Sequence, residues 1–331
     1  MRPSLGGQVI VAIVGAGDIG RGWASLCIAQ GWPVRLFDHE TKSLVEAHAN
    51  VITRARRLVA LGYADAEAVE RGVANFNVSR SLLQACAEAH WIIEAIHEDV
   101  IAKQKMFEAF ESVGHRARIV SSSTTAIPIK DIVARCRRQD RCMIAHPLNP
   151  PELIPLVEVV PGPHTDGALV ELLKGWLRAL GRIPITVKRA KQGNVAGRIA
   201  AAVWREAIDL VLTGVVDVAD LDRAVAVGPA LGWAAAGPHL TYHLAAGGRG
   251  VEGFIQHLLS TFESTWADLA TWQRLDPEQQ HRLVQALSRA YQGDIDTMRD
   301  ARDAKLVAIL KALEEVRRER ESLGVATEDE A

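Results

Sequence analysis

A histidine and a glutamate twelve positions apart carry the clearest chemical signal in this sequence. His146 follows a short apolar run that predicts a buried strand, and Glu158 interrupts a second apolar run, Leu156–Val160. A carboxylate inside a buried strand costs free energy unless it is paired. Pairing with the imidazole would remove that cost, orient the ring and raise its basicity. We therefore expect a dyad that abstracts a proton.

Hydroxyl side chains end another predicted strand, in the run Ser121–Thr125. The carboxyl ends of parallel strands border the crevice where α/β sheets bind ligands. Since His146 also stands at the end of a predicted strand, we expect the hydroxyls and the dyad to face one crevice.

A glycine-rich turn follows the first predicted strand and opens a helix, in the order Gly15-Ala16-Gly17-Asp18-Ile19-Gly20. In this context the pattern is typical of a dinucleotide site. The first glycine permits a tight turn, the second lets the backbone approach the pyrophosphate, and the third lets the helix lie close to the sheet. We expect cofactor contacts from Gly15, Gly17, Asp18, Ile19 and Gly20, with the phosphates at the helix N-terminus.

A carboxylate, Asp38, closes the second predicted strand, 21 residues after Gly17. It can accept hydrogen bonds from both ribose hydroxyls of NAD, and its charge repels the 2′-phosphate of NADP. The next residues, His39 and Glu40, supply no arginine or lysine to reverse that preference, so we predict NAD as the cofactor.

Alternating strands and helices must position these groups. Apolar runs predict strands at residues 9–14, 34–38, 91–95, 118–121, 142–145, 155–160 and 183–187, and residues 41–72 read as helical. Such alternation predicts an α/β class with a mostly parallel, Rossmann-type sheet. From about residue 190 the pattern is almost wholly helical. We therefore predict a NAD-binding domain at 1–189 and an all-helical domain at 190–331.

Composition excludes several classes of function. The 331 residues contain 38 Lys and Arg against 40 Asp and Glu, a net charge of −2 that offers no field for nucleic acid or an anionic membrane. No apolar run approaches the roughly 18 residues of a membrane span, and no signal peptide is evident. The four cysteines are scattered without a Cys-x-x-Cys, so we expect no metal site and a cytoplasmic location.

Five motifs together resemble the L-3-hydroxyacyl-CoA dehydrogenase superfamily over about residues 8–315. They are the glycine-rich turn, Glu94–Glu98, the Ser/Thr strand end, His146–Pro151 and Leu156–Glu158. The resemblance is nearest to the branch of L-carnitine and L-gulonate 3-dehydrogenases, which includes lambda-crystallin. The carnitine side of that branch is favoured by Trp204–Ala207, Gly237–Leu244 and Arg302–Leu306.

The resemblance implies a set of roles. His146 takes the proton of a secondary alcohol, Glu158 steadies the imidazole, and Thr125 falls where the family has a serine that bonds the substrate oxygen. Glu98 and Lys103 match positions that contact the cofactor, and we add Ser123 and Asn149 to that site. The family also implies homodimers joined through the helical domain.

Three departures from the family pattern concern the substrate. Threonine replaces serine at 125, Gly197 stands where the family has asparagine and Asn194 where it has phenylalanine, and Gly232 replaces an arginine before Trp233. Losing an arginine removes the best anchor for a small acid. One hypothesis is a substrate bulkier or less acidic than carnitine or gulonate. The alternative is that the small residues merely allow close helix packing.

Aromatic residues of the helical part could form a box for a trimethylammonium group, or could simply pack in a core. The substrate candidates are thus Asn194, Gly197, Trp233 and Tyr242.

The predicted activity is NAD-dependent oxidation of a secondary 3-hydroxyl to a ketone, carnitine-dehydrogenase-like. The first alternative is a short-chain L-3-hydroxyacyl-CoA dehydrogenase, which the lack of a strong basic cluster for coenzyme A disfavours. The second is a NAD-binding, non-catalytic protein of the crystallin kind, which the altered substrate positions keep open.

Overall fold

A single eight-stranded sheet forms the centre of the computed structural model, which describes residues 9–322. The strands are β1 (Val11–Val14), β2 (Val34–Phe37), β3 (Phe76–Ser79), β4 (Trp91–Glu94), β5 (Ile119–Ser122), β6 (Cys142–Pro147), β7 (Leu156–Pro161) and β8 (Ile183–Thr186). Their order across the sheet is β3-β2-β1-β4-β5-β6-β7-β8. Every neighbouring pair is parallel except β6 and β7, so β7 and β8 run against the rest.

Seven helices accompany the sheet. They are α1 (Asp18–Ala29), α2 (Thr41–Ala60), α3 (Ala66–Ala74), α4 (Leu82–Cys86), α5 (Val100–Val113), α6 (Ile129–Ile132) and α7 (Gly167–Ala179). The predicted continuous helical stretch at 41–72 is wrong in one respect, because α2 and α3 are separate helices. Gly62, with φ of 66°, lies between them in the left-handed region that glycine adopts without strain.

Two hydrophobic clusters cover the two faces of the sheet. Val11 and Ile13 of β1 pack in one cluster and Ala12 and Val14 in the other, all four fully buried. This follows from the two-residue period of a strand, which sends successive side chains to opposite faces. A parallel sheet buried on both faces needs apolar residues throughout, as β1 has.

All regular elements described after residue 190 are helical. The α-helices are α8 (Ala196–Leu212), α9 (Val218–Val227), α10 (Pro229–Ala245), α11 (Gly250–Asp268), α12 (Pro277–Ala290) and α13 (Ile295–Ser322). The chain forms two compact units. The first contains the sheet and runs to Arg198, with Asp303–Ala308 added, and the second contains Ile199–Arg302 and the chain from Ile309 onward. The predicted fold class, a mostly parallel α/β sheet followed by a helical region, is confirmed.

The four cysteines are all buried and free. Burial raises the pKa of Cys86 and of Cys142 to about 12, so both thiols stay protonated and unreactive at neutral pH. Of the helices within residues 9–322, none is long and apolar enough to cross a membrane.

The contact between α3 and α1 gives a stability test. A Cβ on Gly72 would lie 2.2 Å from the carbonyl oxygen of Ile28, a backbone atom that cannot step aside. We expect Gly72→Ala to lower the free energy of unfolding by about 2 kcal/mol or more, as overpacking does. Gly175→Ala in α7 meets nothing within 4 Å and should instead raise it by about 0.5–1 kcal/mol. Urea unfolding of the two variants measures both, and equal effects would contradict the packing argument.

Candidate active site

The antiparallel pairing of β6 and β7 brings the two residues of the expected dyad together. Its register sets His146 directly opposite Glu158, so both side chains lie on one face of the sheet. His146 Nδ1 is 2.8 Å from Glu158 Oε2. Sequence reasoning ended the strand before His146, but β6 continues through Pro147, and this extension creates the cross-strand pair.

Glu158 is fully buried, and hydrogen bonds surround its carboxylate. Besides the imidazole on Oε2, Oε1 accepts the backbone N–H groups of Val195 at 2.7 Å and Ala196 at 2.9 Å. Ala196 begins α8, so the carboxylate occupies a helix N-terminus, where unpaired N–H groups favour an anion. These partners offset the cost of burying the charge.

The other imidazole nitrogen faces a hydroxyl. With a carboxylate acceptor beside Nδ1, the proton of the neutral ring belongs on Nδ1, and Nε2 is left as the base. Nε2 lies 3.2 Å from Thr125 Oγ1, and the imidazole is 8% exposed. The structure therefore brings Thr125, His146 and Glu158 into one hydrogen-bonded row. Such a row can receive a proton from an alcohol at Nε2.

Glu98 holds the loop that carries Thr125. Its Oε1 accepts the hydroxyl of Thr124 and the backbone N–H groups of Thr125 at 3.2 Å and Ala126 at 3.0 Å. Partial burial pushes the pKa of Glu98 upward, but these hydrogen bonds and the charge of Lys103 outweigh it and hold the pKa below its ordinary value. Glu98 is thus an anion at neutral pH and fixes the loop beside His146.

Lys103 lies beneath Glu98 and is only 1% exposed. Its Nζ is 2.7 Å from Glu94 Oε1 and 3.4 Å from Glu98 Oε2. Glu94 also accepts the hydroxyl of Ser122 and the N–H of Ile96. Sequence reasoning missed Glu94 and Ser122 as part of this network. The available signal was a glutamate ending the apolar run Trp91–Glu94, the same signal that pointed to Glu158.

The glycine-rich turn has the close contacts that its pattern predicts. Gly15 has φ of 111°, and a Cβ there would lie 2.4 Å from the carbonyl oxygen of Ala95. A Cβ on Gly20 would lie 1.9 Å from the carbonyl oxygen of Gly15, whereas one on Gly17 would meet nothing within 4 Å. The first and third glycines are thus required by the protein itself, and the second leaves open space at the start of α1.

Asp38 lies against this turn at the end of β2. Its Oδ2 accepts the N–H of Ala16 at 2.7 Å, and Oδ1 accepts that of Glu40 at 3.0 Å. Asp18 and Ile19 open α1; Asp18 forms an ion pair of 2.6 Å with Arg54, and Ile19 packs on the core.

Two further predicted cofactor residues follow β5 and β6. Ser123 Oγ accepts the indole N–H of Trp23 at 3.1 Å, and Asn149 is exposed two residues after β6. The cofactor candidates other than Glu98 and Lys103 therefore follow the carboxyl ends of β1, β2, β5 and β6.

The four substrate candidates fall in both compact units. Asn194 and Gly197 belong to the sheet unit, and Trp233 and Tyr242 to the helical unit. Asn194 is 5% exposed, and a Cβ on Gly197 would meet nothing within 4 Å. The ring of Tyr242 packs on Phe254 and Phe262, with centroids 5.1 and 5.4 Å away. These contacts favour core packing for Tyr242 over an aromatic box.

Comparison with known proteins gives the same family over both parts of the chain. Residues 10–190 match the NAD binding domain of 3-hydroxyacyl-CoA dehydrogenase, and residues 193–285 match its C-terminal domain. The chain belongs to the 3-hydroxyacyl-CoA dehydrogenase family. The predictions of the family, of NAD as the cofactor and of a NAD-dependent dehydrogenase are confirmed.

Individual relatives carry several names. The chain is 33% identical over 309 residues to an L-carnitine dehydrogenase of Streptomyces coelicolor, covering 91% of this chain and 94% of the relative. It is 33% identical over 308 residues to a 3-hydroxyacyl-CoA dehydrogenase of Gibberella moniliformis, with the same coverage. It is 34% identical over 259 residues to the human lambda-crystallin homolog, covering 76% and 81%.

Among solved structures, one similar protein is 5-formyl-3-hydroxy-2-methylpyridine 4-carboxylic acid 5-dehydrogenase, described as an NAD+-dependent dismutase. It is 28% identical to this chain with a TM-score of 0.78, covering 93% of this chain and 99% of that one.

The position of Asp38 predicts cofactor preference. We expect Asp38→Ser to raise the KM for NAD+ about 10-fold or more, because a charged acceptor for two hydroxyls is lost. The ratio of kcat/KM for NAD+ to that for NADP+ should fall further, because the repulsion of the 2′-phosphate is also lost. Steady-state kinetics with both cofactors measure this. Glu40→Gln, at the exposed neighbouring carboxylate, is the control, and an unchanged ratio in Asp38→Ser would refute the assignment.

Proposed function

We propose that this protein oxidises a secondary 3-hydroxyl to a ketone with NAD+, using His146 as the base and Glu158 as its support. The observation that carries the proposal is the hydrogen-bonded row from Thr125 Oγ1 through both ring nitrogens of His146 to the buried carboxylate. A ring held in this way presents a basic nitrogen in a fixed direction.

The chain's own residues fit NAD. Gly17 leaves open space at the first turn of α1, where unpaired backbone N–H groups favour the pyrophosphate. Asp38 lies beside the same turn, in position to accept ribose hydroxyls. When bound, NAD+ accepts the hydride from the carbinol carbon.

The proton follows a separate route. Thr125 donates to or accepts from the substrate oxygen and so orients the alcohol toward Nε2. As the carbinol C–H bond breaks, the O–H proton moves to His146 Nε2 and the C–O bond becomes a carbonyl. The imidazolium that results is stabilised by Glu158 at 2.8 Å, and the backbone N–H groups of Val195 and Ala196 hold that carboxylate still. In the reverse direction the same groups protonate the ketone oxygen.

For the substrate we propose a carnitine-like secondary alcohol, bulkier or less acidic than carnitine. The names of the carnitine dehydrogenase relatives support the first part, and the small residues Gly197 and Gly232 support the second. A 3-hydroxyacyl-CoA substrate is the second candidate, favoured by the name of the Gibberella relative.

We further propose two domains, 1–189 and 190–331, in a cytoplasmic homodimer joined through the helical domain. Apolar side chains exposed in the helical unit support this interface, among them Trp204 at 63%, Val227 at 68% and Leu231 at 61% exposure. Burial of such a surface against a second copy is the usual outcome.

Replacement of the base tests the mechanism. We expect His146→Gln to lower kcat/KM about 10³-fold, in the range that general-base removal causes, with little change in NAD+ binding. Glu158→Gln should lower it about 10- to 100-fold, because the imidazolium loses its counter-charge. The measurement is NADH formation with a panel of 3-hydroxy acids, their esters and quaternary ammonium alcohols.

His115→Gln is the matched control, since His115 is exposed on the far side of α5 from no assigned group and should retain full activity. Turnover by His146→Gln at the parental rate would contradict the proposal. Tight NAD+ binding without turnover of any alcohol by the parent protein would favour the non-catalytic alternative.

A further inference from the structure

A pocket of about 220 Å³ adjoins the catalytic row within the sheet unit. Its walls are the loop 125–128, the side chain of Ile144, and residues of the segment 190–194. Ile144 and His146 are two residues apart on β6, so their side chains lie on the same face of the strand. Thr125 borders the pocket and also contacts His146, which makes the pocket continuous with the row.

The pocket contains one buried polar group without a partner. Asn194 lines it and is 95% buried, being 5% exposed, and its Nδ2 has no hydrogen-bond partner among residues 9–322. An amide N–H left unpaired in a protein interior costs free energy that a ligand oxygen would recover. The remaining walls are mostly apolar, with Ile127, Pro128 and Ile144 among them.

The backbone around Asn194 is tied to the dyad. Asn194 has φ of 49°, the left-handed region, and its N–H donates to the carbonyl oxygen of Lys191 at 2.8 Å. The next residue, Val195, donates its N–H to Glu158 Oε1. The position of the Asn194 side chain is therefore fixed by the same segment that holds the base in place.

The charges near the pocket disfavour an anionic ligand group. Glu98 lies behind the backbone N–H groups of Thr125 and Ala126, and Glu158 lies behind that of Val195. The cation on the pocket wall, Lys191, is exposed, so solvent screens it. A neutral oxygen can take the Asn194 N–H without meeting these carboxylates.

We propose that this pocket binds a second, neutral oxygen of the substrate, with Asn194 Nδ2 as its hydrogen-bond donor. The inference rests on the proposed dehydrogenase function and names the substrate class: a secondary alcohol that also carries an ester, amide or ketone carbonyl on a compact apolar body. A volume of about 220 Å³ equals about seven waters at ~30 Å³ each, enough for a group of several carbons. Asn194 is thus a specificity-determining residue.

Asn194→Gly provides the decisive variant. Asparagine is common in the left-handed region, so a purely conformational role for Asn194 is the competing explanation. Glycine adopts that backbone equally well and removes only the amide. Asn194→Asp is a near-isosteric companion that keeps the shape but exchanges the N–H donor for a charged acceptor.

The first readout is turnover with NAD+ of three alcohols: methyl 3-hydroxybutyrate, 3-hydroxybutyrate and 2-pentanol. The parent protein should prefer the ester over both others. Asn194→Gly should lower kcat/KM for the ester about 10- to 100-fold and leave that for 2-pentanol nearly unchanged. Asn194→Asp should lose the ester preference as well, and thermal unfolding of both variants should stay near that of the parent.

The second readout is calorimetric binding of methyl acetoacetate to the protein loaded with NADH, which needs no turnover. We expect Asn194→Gly to weaken the Kd about 10- to 100-fold. Binding that depends on Asn194 without any turnover would sustain the pocket assignment while the dehydrogenase proposal fails. Equal kinetics and binding in parent and Asn194→Gly, a preference for 3-hydroxybutyrate over its ester, or no binding of methyl acetoacetate by the parent would each overturn the inference.

Discussion

The buried carboxylate of Glu158 is the interaction on which the site depends. It sits between the imidazole of His146 and two backbone N–H groups at the start of α8, so one anion satisfies a ring and a helix end together. Removing any one partner leaves a buried charge short of hydrogen bonds, which is the costly case for a protein interior. The direction of the base, the start of α8 and the position of Asn194 are consequently set by a single group. This is why the carboxylate is tolerated in the middle of an apolar strand.

A second carboxylate network supports the opposite side of the row. Glu94 and Glu98 share the ammonium of Lys103, and Glu98 in turn holds the loop through Thr124, Thr125 and Ala126. The hydroxyl of Thr125 therefore meets Nε2 from a loop whose backbone N–H groups are already engaged. Threonine loses less rotamer freedom on ordering than a longer side chain, and its branched Cβ further limits the angles available. Both ends of the row thus rest on anions that are themselves held by cations or N–H donors.

The sequence predicted those parts of the structure that depend on local patterns. The turn at Gly15–Gly20, the strands of the sheet and the pairing of His146 with Glu158 all follow from short apolar runs and from the cost of a buried charge. It did not predict β3, because Phe76–Ser79 is a four-residue edge strand with two exposed positions and little apolar signal. The break at Gly62 was hidden by a helical composition on both sides. The burial of Lys103 and the backbone of Asn194 depend on distant partners, which periodicity does not register.

The reversal of direction between β6 and β7 has one more consequence. Because the two strands are adjacent and antiparallel, only eight residues, 148–155, separate them, and the base meets its carboxylate across a short closed loop. Closing a short loop costs little chain entropy, whereas a parallel neighbour would need a long crossover. The proton-accepting pair is therefore a self-contained corner of the chain, whose internal geometry does not wait on the remote helices to come into register.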